Sequence, residues 1–225
     1  RAPVQGLPFE AAGSAVVGLD AALDAPATLH LRVEDGSGAP LGAHVQLSWT
    51  DGAPPPDPVP ASMRAALGLP SLSGSAGQAW LGDGEMTLTL QPGTYDLVVS
   101  HSHRHERGRI DALALAPGDE ASRTVVLTEV VARDGWLSMD SHLHAAPSTD
   151  GLLPMEDRLI TCAATGVDLP VTTDHDRMVD YGPLNVALGL AGRMRVVPGV
   201  EVSSVRRGHI NLFPVVPDPL LINAG

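Results

Sequence analysis

The sequence predicts a chain in two unlike parts, an antiparallel β-sandwich followed by the first part of a distorted α/β, TIM-like barrel. From Thr28 to about residue 132, short runs of alternating polar and apolar residues are separated by Gly- and Pro-containing turns, the texture of a small antiparallel sandwich. After Asp134-Gly135 strand-like runs alternate with helix-like runs, and the strands become almost wholly apolar, as in a mainly parallel sheet or barrel. Only about 90 residues remain for that second part, against ~250 for a whole barrel. The expected organisation is therefore an N-terminal segment at 1–27, readable as the edge of an upstream region, a sandwich at 28–132 and an incomplete barrel at 133–225.

The elements follow from local chemistry. Thr28–Val33 and Ala43–Trp49 alternate as half-buried strands, with the turn cluster Glu34–Gly38 between them. Ala53–Pro60 is too rich in Pro for a central strand or a helix, and Ser62–Leu69 is expected as one short helix inside this insertion. Glu85–Leu90, Tyr95–Ser100 and Ser122–Leu127 are the remaining expected strands. In the second part Trp136–Leu143 reads as a strand and Pro154–Thr165 as a helix, with Pro in its first turn and Gly166 at its end. Val167–Thr173 is a continuous apolar strand, Asp180–Leu190 a helix and Arg195–Val202 a strand.

Composition excludes several functions. Net charge is -12 and no basic run occurs, so the charge neutralisation that drives nucleic-acid binding is not expected. No run of ~18 apolar residues is present, so no membrane span is expected. The single cysteine, Cys162, rules out an internal disulfide and a Cys-rich zinc site, and reads as a small buried hydrophobe. All 14 basic residues are Arg. A phosphate-loop Lys, a Schiff-base Lys and a carbamylated-Lys metal bridge are thereby excluded. The start at Arg1 and the stop at Gly225 lead to the expectation that this is a piece of a longer protein.

The chemistry concentrates at successive strand ends. In Asp140-Ser-His142-Leu-His144, residues two apart share a strand face, so Asp140, His142 and His144 align. Two adjacent imidazoles suit one metal ion, and Asp140 suits a role in orienting a ligand. The same pattern also reads as a polar strand face or as one His capping the next element. Asp150-Gly151 follows just before the helix. Thr172-Thr-Asp174-His175-Asp176 ends one apolar strand, and Pro198-Gly-Val-Glu201-Val-Ser203 ends another. His209 begins a strand instead, and joins the same rim only if Val205–Gly208 makes an antiparallel hairpin.

These motifs together resemble the PHP family of metallohydrolases. The longer matches, Ser141–Pro147, Thr173–Asp176 and Gly208–Pro214, resemble its CehA/McbA branch. The resemblance covers 134–216, and 28–132 is similar in texture to a carboxypeptidase-regulatory-like, transthyretin-like sandwich. It implies that His142 and His144 bind a first ion, that Glu201 bridges to a second held with His209, and that Asp150 and His175 hold a third. The His144-to-Asp150 spacing is one residue longer than in many such sequences. It also implies two or three divalent ions (Zn, Mn or Fe), and closing ligands from a C-terminal part beyond residue 225, in the same chain or as a separate one.

The function expected is hydrolysis of an ester, carbamate or phosphoester in a small-molecule substrate by metal-activated water. Asp174 and Asp176 are candidates for proton transfer or for orienting His175. Arg206 and Arg207 are candidates for meeting an anionic substrate, though exposed loop arginines are usually just solvated. The alternative is a non-catalytic binding or adhesion module with a degenerate metal-binding scaffold. A second cluster, His101-Ser-His103-Arg-His105, would align three imidazoles if it continued a strand, and otherwise reads as a polar hairpin end.

Overall fold

The computed structural model describes residues 24–50, 76–204 and 206–218. The N-terminal segment, apart from its last few residues, and the Pro-rich insertion with the short helix expected in it lie outside the described residues.

Among the described residues, seven strands build the first part: β1 (Ala27–Asp35), β2 (Ala43–Trp49), β3 (Ala76–Leu81), β4 (Glu85–Leu90), β5 (Gly93–Ser100), β6 (Gly108–Leu115) and β7 (Glu120–Leu127). They form two open sheets, ordered β4-β1-β7 and β3-β2-β5-β6. One core lies between the sheets. Leu29, Leu31 and Val33 of β1 meet Val45 of β2, Leu97 and Val99 of β5, Leu113 of β6 and Leu127 of β7. The alternation creates this core, because every second side chain of β1 points inward and is almost wholly buried. The pairing is not fully antiparallel as expected. β1 runs parallel to β7, from Thr28 opposite Glu120 to Asp35 opposite Leu127. Alternation fixes which face is buried but says nothing of a partner's direction. In β5 and β6 the register shifts between Tyr95 and Leu97. There Ala112 takes a positive φ of 52° and donates its N–H to Asp96 Oδ1 at 2.8 Å, the local cost of a bulge.

The second part holds β8 (Met139–Leu143), α1 (Met155–Ala164), β9 (Leu169–Thr172), α2 (Gly182–Ala187), β10 (Val197–Pro198), β11 (Val200–Ser204) and β12 (Gly208–Leu212). β9 is the centre of a parallel sheet ordered β10-β9-β8, which explains its continuous apolar sequence. The crossover between β8 and β9 is α1, with Glu156 and Asp157 at its positive end. It ends in a Schellman turn. Gly166 has φ 72°, its N–H donates to Ala163 O at 3.3 Å, and Val167 N–H donates to Cys162 O at 3.0 Å. Cys162 is buried beneath this turn, and burial pushes its thiol up to about 12.

The TIM-like, PHP-type barrel is not formed. A barrel needs parallel strands that keep alternating with helical crossovers until the sheet closes. Here β10 is only two residues long, and the chain enters β11 at Val200 without another helix. It then reverses into the antiparallel hairpin β11-β12. Among the described residues there are only two helices, and every sheet stays open. This overturns the family reading as well as the fold class: the PHP and CehA/McbA resemblance, with its regulatory-like sandwich, rested on short motifs and texture.

The two parts touch directly. Arg193 donates to Pro40 O at 2.8 Å and to Asp83 O at 3.1 Å, joining the α2–β10 connection to two turns of the first part. A Cβ on Gly42 would lie 2.7 Å from Ala163 O, so only glycine lets α1 approach there. No helix among the described residues is long and apolar enough to cross a membrane.

Candidate metal centre

The C-terminal ends of β8 and β9 converge on the start of β11, where Glu201 stands near the beginning of this strand and does not end one as expected. Beyond β9 the chain runs parallel beside β11, with His175 bridged to Glu201. Asp176 N–H donates to Glu201 O at 2.9 Å, and Ser203 N–H donates to Asp176 Oδ1 at 2.9 Å. Asp176, at φ 53°, thus stitches the two segments together. In the hairpin Ser203 pairs with His209 and Glu201 with Asn211, which brings His209 to the same rim.

Glu201 lies at the middle and is 3% exposed. Its Oε2 is 2.9 Å from His142 Nε2, 2.9 Å from His144 Nε2 and 3.5 Å from His175 Nδ1, while its Oε1 is 2.8 Å from His209 Nδ1. Burial works against the Glu201 carboxylate, but the hydrogen bond from His142 and the surrounding imidazoles hold it below its usual range.

Asp150 lies on the other side of the same imidazoles. Its Oδ1 is 2.9 Å from His144 Nδ1, and its Oδ2 is 3.2 Å from His175 Nε2. The hydroxyl of Ser148 donates to Oδ1 at 2.6 Å, and with His144 it pushes the carboxyl well down. Three overlapping groups of side chains are therefore able to hold a metal ion: His142, His144 and Glu201; His144, Asp150 and His175; His175, Glu201 and His209. They suit one or more divalent ions and support a metal-dependent catalytic protein in general terms.

One atom tests the fit. His144 Nε2 is buried and makes no hydrogen bond, although Glu201 Oε2 is 2.9 Å away. The pair is close but wrongly angled for a hydrogen bond. A buried polar atom left this way is costly, and a cation between the two would satisfy both.

The other expected site residues lie elsewhere. Asp140 Oδ1 accepts the backbone N–H of His142 at 3.2 Å, so it braces β8 and has no described contact with a ring. Asp174 is buried and accepts from Ala145 N–H at 2.8 Å and from the Tyr181 hydroxyl at 2.7 Å. Arg206 and Arg207 are exposed at the hairpin turn. The second His cluster does not align on a strand, because β5 ends at Ser100. His103 is exposed, whereas His101 and His105 meet edge to face at 4.9 Å.

Four supporting residues carry no motif of their own. Ser148 Oγ accepts the backbone N–H of His175 at 3.1 Å besides binding Asp150. Ser203 Oγ is 2.5 Å from His175 Nδ1, Arg158 donates to His144 O at 2.8 Å, and Tyr181 binds Asp174. The only sequence signal for Ser148 is its place two residues before Asp150.

No protein-family model and no curated protein matches the chain. Among solved structures it is similar to 3-chlorocatechol 1,2-dioxygenase from Rhodococcus opacus 1CP, with a TM-score of 0.32 and 14% identity, covering 48% of this chain and 62% of that one. It is similar to hydroxyquinol 1,2-dioxygenase from Pseudomonas putida DLL-E4, with a TM-score of 0.30 and 11% identity, covering 56% and 63%. It is also similar to the dioxygenase domain of a dioxygenase carbohydrate-binding protein fusion from Streptomyces sp. SirexAA-E, with a TM-score of 0.28 and 15% identity, covering 57% and 97%. The chain spans less than two thirds of the first two. Likeness at these scores carries no argument about function.

Proposed function

We propose that this chain is a metal-dependent hydrolase acting on an ester, carbamate or phosphoester bond of a small molecule. The observation that carries the reading is the buried, unbonded His144 Nε2 facing Glu201 Oε2 at 2.9 Å. His142, His144 and Glu201 would hold one ion, and His175, His209 and the same Glu201 a second. Each set is two imidazoles and one carboxylate, a donor set used by catalytic zinc that leaves a coordination position open. Bound divalent ions supply Lewis acidity there, polarising the scissile group and lowering the pKa of water toward ~7.

The chain's own residues do the rest. Glu201 presents Oε2 toward His142 and His144 and Oε1 toward His209, so one buried carboxylate serves both sets. The side chains of His142 and His209 are about half exposed, at 50% and 53%. Substrate therefore approaches over the His142 and His209 rim. Arg206 and Arg207, beside His209 in sequence, would meet an anionic group arriving there. Asp174, with both carboxylate oxygens engaged by Ala145 and Tyr181, and Asp176, bound to Ser203, would position the loop.

The test is metal analysis of the purified protein together with hydrolysis of generic nitrophenyl esters and phosphodiesters. The reading expects at least one firmly bound equivalent of Zn²⁺ or Mn²⁺, and turnover that His142→Ala lowers by about 10²-fold or more. No binding when Zn²⁺ or Mn²⁺ is offered would contradict it. Binding without turnover would leave a metal-binding scaffold and contradict the hydrolase assignment.

A further inference from the structure

The hydrogen-bond inventory around Ser148 places a hydrogen on His144 Nδ1. The Ser148 hydroxyl proton points to Asp150 Oδ1 at 2.6 Å. Ser148 Oγ can therefore only accept from its other neighbours, the backbone N–H of His175 at 3.1 Å and His144 Nδ1 at 3.1 Å. Asp150 Oδ1, 2.9 Å from the same Nδ1, is also an acceptor. Two acceptors facing one ring nitrogen require that nitrogen to carry the hydrogen. Neutral His144 thus has its proton on Nδ1 and a lone pair on Nε2, the buried atom that faces Glu201.

We propose that Asp150 is a positioning residue rather than an ion ligand. With Ser148 it accepts the Nδ1–H of His144 and holds that imidazole with its Nε2 lone pair turned toward Glu201. This rests on the metal-site reading above and sharpens it, since a carboxylate that accepts the second ring N–H of a ligating His fixes the tautomer and raises the basicity of the ligand. An ion held by the whole group of His144, Asp150 and His175 would have to take His144 Nδ1 as well. The same ring could then share a further ion with Glu201 only as an imidazolate, with both nitrogens deprotonated. The two uses of His144 exclude each other for a neutral ring, and the unbonded nitrogen lies on the Glu201 side.

The experiment uses protein labelled with ¹⁵N at histidine, read by long-range proton–nitrogen correlation at about pH 8, where ordinary imidazoles are neutral. It is paired with zinc titration of the same samples. The protein before zinc addition is expected to show His144 as the Nδ1–H tautomer. Asp150→Ala is expected to lose that signature and to weaken zinc binding by ~10–100-fold with the number of equivalents unchanged. Asp150→Asn keeps a carbonyl acceptor and is expected to restore most of both. A protein that binds zinc but loses one whole equivalent on Asp150→Ala would make Asp150 a ligand and overturn this inference alone. An Nε2–H tautomer in the unsubstituted protein would overturn it too. A protein that binds no zinc would overturn the metal-site reading and the positioning role together.

Discussion

Tyr181, at the threshold of α2, donates its hydroxyl to Asp174 Oδ2 at 2.7 Å, and both residues are about 1% exposed. The other oxygen of Asp174 holds Ala145 N–H, next to His144, so this pair anchors the chain that carries the first imidazoles. Tyr181→Phe keeps the ring and removes the donor. One buried carboxylate oxygen is then left without its partner, at a cost of about 1–3 kcal/mol. Urea unfolding is expected to show a lower midpoint with an unchanged slope, and equal midpoints would contradict this role.

His101 makes stability depend on pH. It packs against the end of α1, with its Nδ1 3.3 Å from Ala164 O, and burial together with nearby His105 lowers its pKa from 6.5 to about 4. The folded protein therefore binds fewer protons here than the unfolded chain. This contribution is complete above the unfolded value of 6.5 and is lost as pH falls from there to about 4. The loss is on the order of 2–4 kcal/mol at one pKa unit per 1.36 kcal/mol. His101→Leu is expected to flatten the fall in melting temperature over that window, whatever it does at neutral pH. An unchanged pH profile would show that His101 does not titrate in this way.

Gly151 leaves no room for a side chain. A Cβ there would lie 2.1 Å from Ala145 O, a backbone atom that cannot swing aside. Gly151→Ala should displace the loop that carries Ser148 and Asp150, at about 1–3 kcal/mol, as in other overpacked sites. Calorimetry is expected to show a lower melting temperature, and zinc titration a weaker affinity. If neither moves, the loop is not held as described.

Bound metal should stabilise the fold, because the ligands come from β8, β11, β12 and the segment after β9 and unfolding scatters them. Free zinc at about 100 times its dissociation constant adds roughly 2.7 kcal/mol. A chelator is expected to lower the melting temperature of the loaded protein to that of the metal-free protein. A melting curve that ignores the chelator would contradict metal binding at this convergence.

The sequence shows some of these features better than others, for physical reasons. β2 and β4 alternate cleanly, and their expected bounds coincide with those observed. β3 and β6 escape notice. Ala76–Leu81 has small residues and a Gly in place of β-branched ones, and Gly108–Leu115 carries Arg109 and Asp111 across a bulge. The parallel β1–β7 pairing is not written in either strand. The expected barrel fails because strand–helix alternation is local, whereas closure depends on every strand that follows. His142, His144, His175 and Glu201 were visible because metal-ligand side chains at strand ends form a pattern along the chain. Ser148, Ser203, Arg158 and Tyr181 were not, because a hydroxyl or guanidinium gains its meaning only from what folding places within hydrogen-bonding distance.

On the proposed reading, His144 and Glu201 share a cation. Zinc titration by calorimetry, with metal content of the dialysed complex measured in parallel, tests it most directly across the unsubstituted protein, His144→Ala and Glu201→Gln. At least one tight equivalent is expected in the unsubstituted protein, and loss of an equivalent or a fall in affinity of at least ~100-fold in each variant. Equal zinc affinity and equal stoichiometry in all three proteins would contradict it.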